Sequence, residues 1–326
     1  MASSISVKPF HGIFTPLVTP LHKDEAPDLS SLARLVEWQI EQGVHGFWAM
    51  GTSGEFAAFD AGEREAIVAT IVEAARGRVP VIANSSDSST RLTIRHARAA
   101  EAVGATAVAA TPPYYYPHSQ DELLTHYQRI REAVALPLFI YNIPQTVRVK
   151  VELSTAETLA EHGTVAGIKD SQNDLEWLRQ LVLFARGSGL QFAVFAGTRH
   201  LIDAALLSGA DGAIPSVANA FPALCVAVFE SASLGDYEAA RRHQTMIVEI
   251  ERAAATFGQG SKNAMVLTAL KRLLVDQGVI DSALLTSPLR NATDGAWNEI
   301  SARIRAVANA DEGPPSDLRQ EINAPD

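Results

Sequence analysis

Short runs of apolar and β-branched residues recur along the first two thirds of the chain, each followed by a longer stretch with apolar positions at helical spacing. The runs begin near Ile13, Gly46, Val81, Thr106, Leu138, Ala166, Phe192 and Ala213, at intervals of 21 to 35 residues, so each interval holds one strand and one helix. Val79-Pro80-Val81-Ile82-Ala83 and Val165-Ala166-Gly167-Ile168 are apolar nearly throughout, the pattern of parallel strands covered on both faces. Asp60 with Glu63, Ser119 with Glu122 and Ser154 with Glu157 place an acceptor three residues ahead of a carboxylate, which predicts capped helix starts at these points.

Eight such units predict an α/β fold, a closed (β/α)8 TIM barrel. The competing architecture is an open doubly wound sheet, which ordinarily binds a nucleotide, yet neither G-x-G-x-x-G after the first strand nor a P-loop is present. From Gly235 onward the strand pattern stops. Residues 237–257 and 263–278 carry apolar residues at helical spacing, with Gly258 and Gly260 breaking one helix from the next. The stripes Met246, Ile247, Ile250 and Met265, Leu267, Leu270 suit either core or a subunit contact. The expected organisation is a barrel over residues 1–233 that holds the active site, a C-terminal helical appendage over 234–309, and an acidic disordered tail over 310–326 that contains Pro314-Pro315.

Composition narrows the function. Hydrophobic residues make up 47% and charged residues 20% of the 326, enough apolar material for a barrel plus an appendage. The formal net charge of −10 repels phosphate backbones and anionic lipid heads, so neither nucleic acid nor a membrane is an expected partner. No apolar run approaches the ~18 residues of a spanning helix. Cys225 is the single cysteine, set in an apolar run as a buried thiol would be, and the first ten residues hold no apolar leader. The expected location is cytoplasmic.

In a barrel of this type catalytic groups stand at the carboxyl ends of the strands. Those positions read Gly51-Thr52-Ser53-Gly54-Glu55, Thr111-Pro112-Pro113-Tyr114-Tyr115-Tyr116, Tyr141-Asn142-Ile143-Pro144 and Gly167-Ile168-Lys169-Asp170-Ser171. Lys169 is one of six lysines and terminates an apolar run. Inside a barrel it would lose solvation and keep a neutral amine able to form an imine with a ketone. The competing role is a structural salt bridge to Asp170 or a neighbouring carboxylate. Tyr141 lies 28 residues earlier, one βα unit back, where its phenol would stand beside Lys169 as a proton carrier. Thr52 and Ser53, between two glycines, offer hydroxyls and amides to an anion such as a carboxylate, while Glu55 is placed to hold the loop.

The four sequences G-T-S-G-E, T-P-P-Y-Y, Y-N-I-P and G-I-K-D-S, in this order, resemble the dihydrodipicolinate synthase and N-acetylneuraminate lyase family of class I, pyruvate-using aldolases. The resemblance runs from about Gly12 to Asn219 and on through the helical appendage. It implies a lyase in which Lys169 forms a Schiff base with pyruvate or a pyruvyl substrate, Tyr141 shuttles protons, and Thr52 and Ser53 hold the pyruvyl carboxylate. It further implies that Tyr115, with Tyr114 close behind, reaches into a neighbouring subunit's site, that Gly197 and Ile214 line the pyruvyl site, and that the enzyme is a homotetramer built as a dimer of dimers. No metal or nucleotide cofactor is expected, and none of the nine histidines forms H-E-x-x-H.

One position departs from the family's pattern. Synthases of the family carry an arginine for the second substrate's carboxylate where this chain has Thr146. On an extended segment Arg148 would share that face, displaced by ~6.6 Å, and is the candidate replacement. The expected reaction is therefore formation or cleavage of a C–C bond between pyruvate and an aldehyde, with a 4-hydroxy-2-oxo acid or 2-keto-3-deoxy sugar acid as the joined compound. The alternatives are 4-hydroxy-tetrahydrodipicolinate synthase and a non-catalytic keto-acid-binding barrel.

Overall fold

Eight parallel strands close on one another in strict chain order. They are β1 (Gly12–Pro16), β2 (Gly46–Ala49), β3 (Val81–Asn84), β4 (Ala107–Ala110), β5 (Leu138–Asn142), β6 (Gly167–Asp170), β7 (Ala193–Ala196) and β8 (Gly212–Ala213). Each begins within one residue of the position expected from the apolar runs. The computed structural model describes residues 10–254, 261–291 and 294–308. The strands alternate with α1 (Leu29–Glu41), α2 (Ala61–Ala75), α3 (Thr90–Ala102), α4 (Gln120–Ala133), the single turn α5 (Pro144–Val147), α6 (Leu153–Glu161), α7 (Leu175–Gly187), α8 (Ile202–Leu207) and α9 (Pro222–Ser233). Then follow α10 (Tyr237–Ala254), α11 (Lys262–Asp276) and α12 (Asp294–Ala308).

Alternation along the strands divides the apolar residues into two layers. Phe14, Trp48, Ile82, Phe139 and Phe195 fill the barrel, and their neighbours such as Ile13, Phe47, Val81, Leu138 and Val194 pack outward against the helices. Two of the three expected capping boxes form, at Asp60 with Glu63 and at Ser119 with Glu122. The third does not. Helix α6 starts at Leu153, so Ser154 already lies inside it. Its first turn is held instead by Gln120 of α4, whose Oε1 accepts from Glu152 N–H at 3.1 Å and Thr155 Oγ1 at 2.7 Å.

The seam between the first and last strands is short. Gly12 pairs with Gly212 and Ile13 with Ala213. A Cβ on Gly212 would stand 2.0 Å from the carbonyl oxygen of Gly12, so this approach requires glycine. Buried amides extend the seam beyond the ladder. Asn219 accepts from Val18 N–H at 2.9 Å and donates to the Pro16 carbonyl at 2.8 Å, and Gln39 donates to the Ala218 and Asn219 carbonyls while accepting from Thr15 Oγ1.

Helix α10 packs on α8, α9 and α12, and α11 crosses toward the strand ends beside the turn Ser216–Asn219. Ile247, Ile250, Met265, Leu267 and Leu270 are buried within the chain, and Met246 is half-buried. Gly258, Gly260 and the expected tail 310–326 lie outside the described residues. Cys225 is buried, and burial pushes its thiol pKa up. Among the described residues no helix is long and apolar enough to cross a membrane.

Candidate active site

Tyr141 on β5 and Lys169 on β6 are register partners, and the pleat turns both inward, with Phe139 two residues before Tyr141 and Phe195 paired with Lys169 from β7. The Lys169 amine lies 4.3 Å from the centroid of the Tyr141 ring and 4.8 Å from that of Trp48. It is 3% exposed. Burial alone holds its pKa down to about 7, while the two ring faces return part of the lost solvation of the ammonium form. Asp170, the residue that could have paired with it, points to the opposite face. Its carboxylate accepts from the side chains of Asn142 at 2.8 Å and Gln172 at 2.9 Å, and burial raises it to about 6. Lys169 is thus free of a salt bridge to its neighbour and holds a large neutral fraction near pH 7.

The Tyr141 phenol stands 3.0 Å from Thr52 Oγ1. Burial pushes its pKa up to about 12, against smaller opposing contributions from its hydrogen bonds with Thr52 and Ser171. It therefore remains a proton-bearing group beside an amine that can give its proton up. Thr52 and Ser53 come from the turn after β2, and together with Tyr141, Lys169, Gly197 and Ile214 they line a cavity of about 350 Å³. Gly197 acts through its missing side chain. Its N–H donates to the Asp170 carbonyl at 2.6 Å, and a Cβ would meet Ser171 Oγ at 2.0 Å and Lys169 Cε at 3.1 Å. Ile214 supplies a buried apolar wall.

Two expected residues lie elsewhere. The extended path that would have carried Arg148 onto the face of Thr146 is not taken, because residues 144–147 coil into α5. Arg148 ends that turn in the left-handed region with φ 59°, donates its N–H to the Pro144 carbonyl at 2.8 Å, and turns its side chain to solvent. Thr146 lines the cavity in its place. Tyr115 is 86% exposed, with φ 90° and its ring 4.9 Å from that of Tyr116, outside its own chain's cavity. Tyr114 folds inward instead, against Phe56 at 6.2 Å and in hydrogen-bond contact with Asp87.

Glu55 holds the Thr52-Ser53 turn as expected, but through the distant partners Lys271 and Thr286, which sequence patterns do not reveal. Glu55, at φ 55°, buries its carboxylate under the turn, where one oxygen accepts from Lys271 Nζ at 2.6 Å. The other accepts from the Thr286 N–H and Oγ1, each at 2.8 Å, and Lys271 also donates to the Leu284 carbonyl at 2.7 Å. The position of Lys271 among the apolar residues of α11 is the available signal. Among the described residues no three His, Cys, Asp or Glu side chains gather as a metal site would require.

A buried amine with its pKa held down to about 7 among aromatic rings, with a phenol at hand and a hydroxyl-bearing turn across the cavity, is the equipment of a lyase of the class I aldolase type. Comparison with known proteins identifies the lineage: the chain belongs to the dihydrodipicolinate synthetase family, whose family model matches residues 9–307. It is 35% identical to an uncharacterized DapA-like lyase of Halobacterium salinarum, over 87% of this chain and 90% of that one. It is 37% identical to the 4-hydroxy-tetrahydrodipicolinate synthase of Acidiphilium cryptum, over 75% and 82% of the two chains. Among solved structures it resembles YagE, a prophage protein of this family from E. coli K12 in complex with pyruvate, with a TM-score of 0.86 and 25% identity over 92% of this chain and 99% of that one. The dihydrodipicolinate synthase from Acinetobacter baumannii, also complexed with pyruvate, matches with a TM-score of 0.83 and 32% identity over 91% and 99%.

Proposed function

We propose that this enzyme cleaves or forms 4-hydroxy-2-oxo acids, the 2-keto-3-deoxy sugar acids among them, through an imine between Lys169 and the pyruvyl half. The observation that carries the reading is the desolvated Lys169 amine against Tyr141, with Thr52 on the phenol. In cleavage, the neutral amine attacks the C2 ketone and water leaves. The C4 hydroxyl gives up its proton, with Tyr141 relaying it, the C3–C4 bond breaks, and its electron pair enters the enamine as the aldehyde departs. Protonation at C3 and addition of water then release pyruvate and restore the amine. Thr52 and Ser53 hold the pyruvyl carboxylate, and no metal or nucleotide takes part.

Thr146 supports this substrate class, since a hydroxyl stands where recognition of a second substrate by a synthase would call for a guanidinium. The names of several relatives favour the alternative, 4-hydroxy-tetrahydrodipicolinate synthase. The exposed Tyr115 supports a homotetramer in which this residue enters a neighbouring site. A left-handed backbone at a bulky aromatic costs about 1–3 kcal/mol, and docking into a partner would offset it. The single cysteine fits action in the cytoplasm.

Treatment with pyruvate and borohydride should add one reduced pyruvyl group, located at Lys169 by peptide mass. Labelling at another residue, or full turnover by Lys169→Ala, overturns the mechanism. Parallel assays then decide the substrate. Cleavage of a 4-hydroxy-2-oxo acid should exceed condensation of pyruvate with aspartate semialdehyde in kcat/KM, and the reverse order establishes the synthase.

A further inference from the structure

The outer wall of the cavity carries charges for which the proposed imine chemistry has no task. Beyond β7 and at the first turn of α11, Arg199, His200 and Lys262 reach the cavity lining. Among the described residues that line it there is no carboxylate, although the whole chain has a formal net charge of −10. The acid standing behind this wall is Glu251, and it is committed to Arg199 in a largely buried ion pair. Lys262 is a second cation beside that pair. It is exposed at the mouth, close enough that its charge acts on both His200 and Glu251. After Arg199 and Glu251 cancel, the wall keeps one net positive charge.

Solvation of a neutral, hydroxylated substrate end would not need this arrangement. Thr198, Gln172 and Asn173 line the same region and supply hydrogen bonds without charge. A cation kept at a cavity mouth from which carboxylates are absent favours a ligand that brings a negative charge. The pyruvyl carboxylate does not account for it, since the hydroxyls of Thr52 and Ser53, on the turn after β2, serve that end.

We infer that the half of the substrate leaving as the aldehyde ends in a carboxylate, bound by Lys262 with Arg199 and His200 around it. The joined compound is then a 2-oxo dicarboxylic acid. One net positive charge matches a carboxylate better than a phosphate ester, which carries about −1.5 to −2 near neutral pH. An amino group close to that carboxylate, as in an amino-acid semialdehyde, would bring an ammonium toward Lys262 and Arg199 and is disfavoured. The inference rests on the Lys169 reading and adds the identity of the far end of the substrate.

The test uses the borohydride trap with unbranched 2-oxo acids that form an imine but are not cleaved. 2-Oxoglutarate is compared with 2-oxopentanoate, and 2-oxoadipate with 2-oxohexanoate, so that each pair differs in the terminal group alone. The readout is the concentration giving half-maximal labelling by intact mass. In the wild type at least one dicarboxylate should label at roughly tenfold lower concentration than its partner, as a charge-assisted contact provides. Lys262→Met should collapse that ratio toward one, and Lys262→Arg should keep it. Equal half-labelling concentrations in the wild type for both pairs, or an unchanged ratio in Lys262→Met, overturns the inference. Labelling of the wild type by pyruvate in the same series separates the two levels. If pyruvate fails to label Lys169, the imine reading falls and this inference with it; if pyruvate labels and the ratio is one, the distal carboxylate alone is refuted.

Discussion

Lys271 and Glu55, 216 residues apart in the chain, meet as an ion pair whose side chains are 0% and 2% exposed. Burial pulls the Lys271 pKa down and the facing carboxylate opposes that shift. Because Glu55 follows the Thr52-Ser53 turn, α11 and the segment around Thr286 fix that side of the cavity. The C-terminal helices are therefore part of the construction of the site.

Removing one member of this pair should cost far more than removing both. Lys271→Met leaves a buried carboxylate without its cation, and breaking such a pair costs about 3–5 kcal/mol. The double variant Lys271→Met with Glu55→Gln should regain more than half of that loss in urea unfolding. Strict additivity of the two single variants would refute the coupling.

Tyr141 and Thr52 should fail in different ways. Tyr141→Phe removes the proton carrier and should lower kcat by about 10²-fold or more. Thr52→Val should act chiefly on KM for the pyruvyl substrate if its contact is equally strong before and during reaction. Steady-state kinetics with both variants separates the roles, and wild-type kcat in Tyr141→Phe would dismiss the phenol.

Imine formation should follow the titration of Lys169. Its pKa is held down to about 7, so the reactive neutral amine is lost as pH falls. The rate of pyruvate trapping should drop about tenfold per pH unit below about pH 7 and level off above it. A rate still climbing steeply past about pH 9 would indicate an ordinary, solvated lysine.

Gly197 should tolerate no side chain. A Cβ there would overlap Ser171 Oγ at 2.0 Å and press on the Asp170 carbonyl at 2.9 Å. Gly197→Ala should displace Ser171 and the Lys169 stem, reducing trapping by about 10²-fold, in line with the sensitivity of reacting groups to misplacement by ~1 Å. Near-normal trapping in this variant would show that the β6 end can yield.

The parts legible in the sequence were those set by local periodicity. Eight apolar runs located eight strands because parallel strands in a barrel are buried on both faces, and one βα unit of spacing put Tyr141 beside Lys169. Where the outcome depended on distant contacts, the pattern was silent or misleading. Ser154 fits a cap, but Gln120, 34 residues earlier, meets the helix start first. Arg148 shares a face with Thr146 only on an extended chain, and the turn at 144–147 rotates it away. Lys271 shows in the sequence only as a lysine amid the apolar positions of α11, and its partner Glu55 lies 216 residues away.

The glycine seam bears on how this barrel comes into being. Strand β1 is made first and its partner β8 last, so the ladder between Gly12 and Gly212 and the Asn219 bridges span some 200 residues. Contacts of such separation are the slowest to form. Until they do, β1 presents an open edge, Gly12 to Pro16, made of residues that are all buried in the finished barrel, which can pair with another chain. The seam that glycine closes in the finished enzyme is thus where a half-made one is most prone to aggregate.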